Sequence, residues 1–277
     1  MKSLLKKILP LCFIDFYRKV RVLHRFFYLR TTLAKNSSIN ARQDTVVILG
    51  NGPSINLLDL PLLLANQDVI VMNAFYHHPD ASKLNIAAYC FGEQGADVAH
   101  YDISRVLKTK SRQYWFSADF ASKITPPSNN VHIYFSGNDD VLSQHRRHID
   151  LSHPAPYYES TSQMAIIIAI SMGYKKIVLF GYDHDYLASG EHIKHFYEED
   201  VNDEVTISKL YIDGSDYHAL IQNCERMWAR YKKINIYARS RGIQIINCGK
   251  NSYLDVFRRH PLETTIMPIS KHLENML

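Results

Sequence analysis

Apolar positions along the chain follow two different periods. Over the first thirty residues they cluster at helical spacing (Leu4, Leu5, Ile8, Leu9, Phe13, Phe16, Tyr17, Val20, Leu23, Phe26, Phe27), with Lys and Arg between the clusters. This predicts an amphipathic helix, which Pro10 should divide because proline cannot donate the helical hydrogen bond. Residues 36–40 (NSSIN) read as a short linker. From residue 45 the pattern becomes short continuous apolar runs: 45–49 (TVVIL), 68–73 (DVIVMN), 85–91 (NIAAYCF), 113–116 (QYWF), 131–135 (VHIYF), 175–180 (KKIVLF) and 242–247 (GIQIIN). Each predicts a strand buried on both faces. Residues 161–173 read as a buried helix closed by Gly173, and 216–240 as a long helix. Continuous apolar strands separated by helices imply an α/β fold with one doubly wound, mostly parallel sheet. Such sheets bind ligands beyond the carboxyl ends of their strands. Gly50–Ser54, Asn73, Gly92, Gly181–Tyr186 and Cys248–Ser252 fall there.

Composition narrows the class. The chain has 277 residues, 46% hydrophobic and 21% charged, enough apolar content for a real core and too much for wholesale disorder. Its four cysteines are scattered without a C-x-x-C pair, so neither a disulfide framework nor a cysteine zinc site is indicated. The net charge of +5 conceals an asymmetry: residues 1–43 hold ten Lys/Arg against the single acid Asp15. The rest of the chain is therefore net acidic, unlike a nucleic-acid reader, which carries its positive stripe on the folded domain. The longest uncharged run in the basic arm, residues 8–14, is far short of the ~20 residues that cross a bilayer. No signal peptide is recognisable either. Cations at the rims of aromatic clusters fit a helix lying on an anionic membrane, and the competing reading is an arm packed on the domain or on a second subunit.

Gly50-Asn51-Gly52-Pro53-Ser54 after the first strand would present backbone N–H groups to phosphate or ribose oxygens. The dinucleotide fingerprint is incomplete, because Ile55 and Asn56 stand where a third glycine would be needed and Asn73 replaces the expected acid. A Walker loop is absent. Asp183-His184-Asp185 has the D-x-D form of a Mg²⁺ or Mn²⁺ site, or else Asp183 caps a turn and Asp185 is solvated. Fourteen histidines, with His184, His192, His195 and His218 after the sixth strand, lack zinc spacing and suit acid/base or substrate roles.

Three blocks together resemble the bacterial sialyltransferases of glycosyltransferase family 42. They are Gly50-Asn51-Gly52-Pro53-Ser54 with Asn73-Ala74-Phe75-Tyr76, then Thr161-Ser162-Gln163-Met164 with Gly181 and Asp183, and finally Cys248-Gly249-Lys250-Asn251-Ser252. The resemblance extends to related proteins that include motility-associated flagellin glycosyltransferases and pterin pyrophosphokinase-like proteins. It implies a Rossmann-like, GT-A-variant fold. It also implies an inverting transfer of sialic acid or a related nonulosonic acid from a CMP-activated donor to a cell-envelope glycan. On this resemblance Gly50, Asn51, Gly52, Ser54, Asn73, Thr161, Ser162, Asp183, Asn251 and Ser252 would hold the nucleotide. Tyr186 and Tyr197 would stabilise the leaving phosphate without metal, and His218, with His195 competing, would be the general base. Phenols can neutralise developing phosphate charge, and a histidine near neutrality can take the acceptor's proton.

The expected organisation is a membrane-association arm (1–43), a nucleotide-binding core (44–186), a lid or acceptor region (187–217) and a completing helix, strand and tail (218–277). The expected partners are a nucleotide-sugar, a glycan or glycolipid and an anionic membrane, with no nucleic acid, no metal or other cofactor, and a homo-oligomer left open. The expected location is cytoplasmic, peripheral at the inner face of the membrane. Three alternatives stand beside this reading: Mg²⁺-dependent pyrophosphoryl transfer to a pterin, a UDP- or GDP-sugar transferase using Asp183 and Asp185, and a non-catalytic scaffold of an envelope-polysaccharide complex.

Overall fold

The computed structural model describes residues 11–92, 102–121, 130–137, 148–185, 187–188, 195–197, 217–261 and 265. Eight strands form one sheet: β1 (Thr45–Leu49), β2 (Asp68–Met72), β3 (Ile86–Phe91), β4 (Tyr114–Ser117), β5 (Val131–Tyr134), β6 (Lys176–Phe180), β7 (Gln244–Asn247) and β8 (Arg258–Arg259). Their order is β5-β4-β3-β2-β1-β6-β7-β8, and every pairing is parallel. The doubly wound expectation is met. The chain winds outward from β1 to β5, then returns to place β6 on the other side of β1. The reversal between β1 and β6 opens a crevice beyond their carboxyl ends, where ligands bind in such sheets.

Strand residues alternate between two cores. Val46, Ile48, Ile70, Met72, Ala88, Cys90 and Trp115 face one side, and Val47, Leu49, Val69, Val71, Tyr89, Phe91 and Phe116 the other. Among the described residues the α-helices run in order α1 (Leu11–Ala34), α2 (Leu60–Leu63), α3 (Ile103–Lys108), α4 (Ala118–Ala121), α5 (Thr161–Ser171) and α6 (Tyr217–Ser240), and α5 and α6 cover the first side. In α5, Gln163 to Ile170 are all buried. Its four isoleucines cost a few tenths of a kcal/mol each in helix propensity, but burying each contributes about 1.5–3 kcal/mol, so packing decides. Ser160 caps the helix by accepting from the Gln163 N–H, and Gly173 at φ +92° ends it.

Helix α1 forms as expected, but residues 36–40 are not a linker. Asn36 and Ile39 are buried. The Asn36 carboxamide donates to Ile133 O and Leu151 O, each at 2.8 Å, and its oxygen lies 3.2 Å from His132 Nδ1. A polar sequence hides this segment because the burial of Asn36 is secured by hydrogen bonds, with Ile39 as the one apolar residue that joins the core. Burial holds the His132 imidazole neutral, with its pKa lowered to about 4. Strand β8, which the apolar pattern does not show, is a pair of exposed arginines held by backbone pairing with β7 and by a hydrogen bond from the Arg259 guanidinium to Ser252 O. Among the described residues no helix is long and apolar enough to cross a membrane.

Candidate functional site

The loop after β1 is shaped by its neighbour across the crevice. Gly50 N–H donates to Phe180 O at 2.7 Å and Gly52 N–H to Gly181 O at 2.9 Å, continuing the β1–β6 pairing beyond the strands. A Cβ at Gly52 would collide with the Asp183 carboxylate and with the Gly181 carbonyl, so this close approach demands glycine. Asp183 then receives both donors of Ser54, its N–H at 3.0 Å and its hydroxyl at 2.6 Å. The expected array of free N–H groups is therefore not there: those of Gly50, Gly52 and Ser54 are taken by β6 and its exit. The helix that follows the loop is a five-residue 3-10 turn, Pro53–Leu57. The glycines serve strand-to-strand contact, and Asp183 acts as a clasp on the loop.

The open polar groups lie beside the clasp, at the carboxyl ends of β1 and β2. The Asn51 Nδ2 reaches Met72 O only at 3.5 Å, and its Oδ1 is buried with no partner. Asn73 donates to Thr161 Oγ1 at 3.2 Å, and its Oδ1 is also buried without a partner. Asn73 sits at φ +48°, a conformation asparagine tolerates better than most residues. Tyr89 fixes it there, donating to Asn73 O at 2.7 Å and accepting from the Tyr76 N–H at 3.0 Å. A buried unpartnered carbonyl costs about 1–3 kcal/mol, and two side by side mark a place where outside donors fit.

The N-terminus of α5 closes this space. A Cβ at Gly92 would run into Thr161, so the exit of β3 lies flush against the helix start. Ser162 Oγ meets the Met72 sulfur at 3.7 Å, and its carbonyl accepts from Tyr182 Oη at 3.0 Å. Burial raises the Tyr182 phenol well above its usual pKa, so it stays a donor. The first-turn N–H groups and the helix dipole favour an anion or ribose oxygens here. The structure thus brings Asn51, Asn73, Thr161 and Ser162 together, as the sequence reading grouped them.

Residues 195–197 lie over the loop. Phe196 N–H donates to Asn51 O at 2.9 Å, and Asn56 Nδ2 donates to Phe196 O at 3.1 Å. The Phe196 ring packs on Phe75 and His78, while Tyr197 stacks between His77 and His195 at 5.2 and 5.1 Å. Tyr197 and His195 therefore stand at the site's rim. His218 is exposed in the first turn of α6, with its Nε2 2.8 Å from Gln222 Nε2. Tyr186 and His192 lie outside the described residues, as does most of the expected lid.

The last block has a different position. Ser252 is buried, its hydroxyl donating to Tyr182 O and accepting from Asn247 Nδ2 at 2.9 Å and from the Leu254 N–H at 3.2 Å. Tyr253 N–H donates to Asp183 O at 2.8 Å. This turn braces the β6 exit, and Asn251 is exposed at its tip. Sequence reasoning missed Tyr182, Tyr89 and the true place of His184. That imidazole is buried against Trp228 and Tyr231, 2.9 Å from the Tyr231 hydroxyl, and burial lowers its pKa to about 3. The abundance of tyrosine gave no signal, because nothing local distinguishes a phenol that braces the site from one in the core.

No protein-family model matches the chain, and no curated protein does. Among solved structures it is similar to the monofunctional α-2,3-sialyltransferase Cst-I from Campylobacter jejuni, at 18% identity and a TM-score of 0.50, covering 84% of this chain and 85% of that one. It is also similar to the sialyltransferase CstII from Campylobacter jejuni in complex with cytidine-5'-monophosphate, at 16% identity and a TM-score of 0.49, covering 81% and 88%. The MAf glycosyltransferase from Magnetospirillum magneticum AMB-1 matches at 12% identity and a TM-score of 0.46, covering 91% of this chain and 40% of that one. The similarity to Cst-I establishes a shared fold: one parallel sheet wound on both sides of a central strand.

Proposed function

We propose that this protein is a glycosyltransferase that moves sialic acid or a related nonulosonic acid from a CMP-activated donor to a cell-envelope glycan. The observation that carries the reading is the pair of buried, unpartnered carboxamide oxygens of Asn51 and Asn73 before the N-terminus of α5. Amide oxygens accept hydrogen bonds, and a nucleotide supplies ribose hydroxyls and a base amino group as donors. Thr161, Ser162 and the first-turn N–H groups of α5 would take the phosphate side. A structure similar in fold holds cytidine monophosphate, which supports the choice of nucleotide.

Tyr197 is the described phenol that would stabilise the departing phosphate, with Tyr186 as its partner. The stacking of His195 on Tyr197 supports His195 as the base that removes the acceptor's proton, ahead of His218. On this reading no metal is required. The engagement of both Asp183 oxygens by Ser54 supports a loop-holding role for that carboxylate over metal ligation with Asp185. Residues 1–43 would bring the enzyme to the inner face of an anionic membrane.

Calorimetric titration with CMP, UMP, GMP and AMP tests the donor. CMP should bind tightest, and Asn51→Ala should weaken it by about tenfold or more, the loss of one good hydrogen bond in a buried site. Equal affinity for all four nucleotides, or no effect of Asn51→Ala, would overturn the assignment.

A further inference from the structure

Helix α1 is apolar on two opposite faces. One face, with Val22, Phe26, Leu29 and Leu33, is half-buried or buried against the domain. The other is unpartnered: Phe13, Phe16, Tyr17, Val20, Leu23 and Phe27 follow the i, i+3, i+4, i+7 pattern and are 45–65% exposed. At 100° per residue these positions form a single stripe. Lys19, Arg21 and Arg30, all exposed, flank it, and the only acid on the helix, Asp15, is paired with Arg18 at 3.2 Å. A stripe of aromatics edged by cations matches lipid tails below anionic headgroups, whereas a second copy of the same helix would set cation against cation.

The helix has a definite direction relative to the site. Its C-terminal end is pinned by Asn36 to Ile133 in β5. Eleven residues earlier, the Arg25 guanidinium lies over the Phe135 ring and pairs with Asp119 at 2.7 Å. Phe135 and Asp119 both follow the carboxyl ends of their strands, β5 and β4. The helix therefore runs from mid-strand toward the carboxyl edge of the sheet. The fourteen residues from Arg25 back to Leu11 extend the axis by about 21 Å in that direction. Most of the exposed stripe thus projects on the edge where Asn51, Asn73 and α5 form the candidate site.

We propose that this stripe inserts into an anionic bilayer and holds the carboxyl edge of the sheet, with its site, toward the membrane. The inference rests on the arm's membrane role given above and adds the orientation of the bound enzyme. Transfer would then take place next to the lipid surface, and an acceptor anchored there reaches the site without leaving it.

The test uses the full chain and vesicles of phosphatidylcholine with or without phosphatidylglycerol. The protein should co-sediment with the phosphatidylglycerol vesicles, and added salt should weaken the binding. The double variant Phe16→Ser/Leu23→Ser should lower partitioning by about tenfold or more. Because both side chains are exposed, its melting temperature should match that of the unaltered chain. Orientation is read with bimane attached at Ala188→Cys, beyond the carboxyl end of β6, or at Lys110→Cys, before the amino end of β4, in a Cys12→Ser chain. The remaining cysteines Cys90, Cys224 and Cys248 are buried. Headgroup nitroxide lipids should quench the label at 188 more than the label at 110. Absence of sedimentation, or unaltered partitioning of the double variant, would overturn the membrane role itself. Binding with equal or reversed quenching would overturn the orientation alone. A salt-resistant dimer lost in the double variant, with no vesicle binding, would assign the stripe to a second copy instead.

Discussion

Asp183→Ala tests whether the clasp on the Gly-x-Gly loop is what holds the crevice in shape. In the native chain one carboxylate accepts two hydrogen bonds from Ser54, at 3.0 and 2.6 Å, across 129 residues of sequence. Hydrogen bonds to a charged acceptor contribute about 1.5–3 kcal/mol each, and the half-exposed setting argues for the lower end. Removing both should cost about 3 kcal/mol. At roughly 2–4 °C per kcal/mol for a chain of this size, the melting temperature should fall by about 6–12 °C. Asp183→Asn keeps an acceptor for the Ser54 N–H and offers an amide donor to its hydroxyl, so it should lose only about 1 kcal/mol. Asp185→Ala, which removes no described side-chain bond, should stay within about 0.5 kcal/mol. Thermal and urea unfolding in EDTA provide the readout. In a cycle with Ser54→Ala, the two single losses should together exceed the loss in the double variant by about 1 kcal/mol. If Asp183→Ala melts with the native chain, or the cycle is additive, the carboxylate is not a clasp and a ligand role regains its ground.

Asn73→Gly keeps access to the positive φ at that position, so it should weaken CMP binding while costing less stability than Asn73→Ala, which calorimetry and melting will compare. His195→Ala should abolish most turnover of CMP-N-acetylneuraminic acid at unchanged CMP affinity, while His218→Ala should keep it; the reverse result would return the base to α6. Stability should be full above pH ~6.5 and fall as the pH drops toward 4, because the unfolded chain protonates histidines that the fold keeps neutral. For His132, lowered to about 4, the loss reaches up to about 3 kcal/mol, and His184 adds in the same direction. Urea titrations across that range should show it, with a shallower slope in His132→Gln.

The strands were legible because a parallel sheet covered on both faces writes itself as unbroken apolar runs: β1 coincides with TVVIL, and β2 and β3 differ from the pattern only at an end. Asn51 and Asn73 were legible because the fold puts strand exits where ligands bind, and a polar residue within two positions of the end of an apolar run marks such an exit. What was not legible depends on contacts distant in sequence. Nothing near Asp183 shows that Ser54 occupies it, and nothing near Ser252 shows that its hydroxyl is saturated by Tyr182, Asn247 and Leu254. His184 and His195 look alike in the sequence, yet one is enclosed by aromatic rings and the other stands at the rim. Asn36 shows the same problem from the other side, since a polar stretch that reads as a tether is fastened to an end strand.

That fastening makes the N-terminal helix part of the fold's protection against itself. β5 is the outermost strand on its side, and such strands offer unpaired backbone groups to other chains. The Asn36 amide occupies the Ile133 carbonyl, and the fully buried Leu33 and the nearly buried Ile39 pack beside it. A chain cut at residue 43 would lose all three and expose that border to strand addition. Truncation would thus produce clumping that mimics or masks a change in vesicle binding, whereas serine at Phe16 and Leu23 alters the outward stripe and leaves the border sealed.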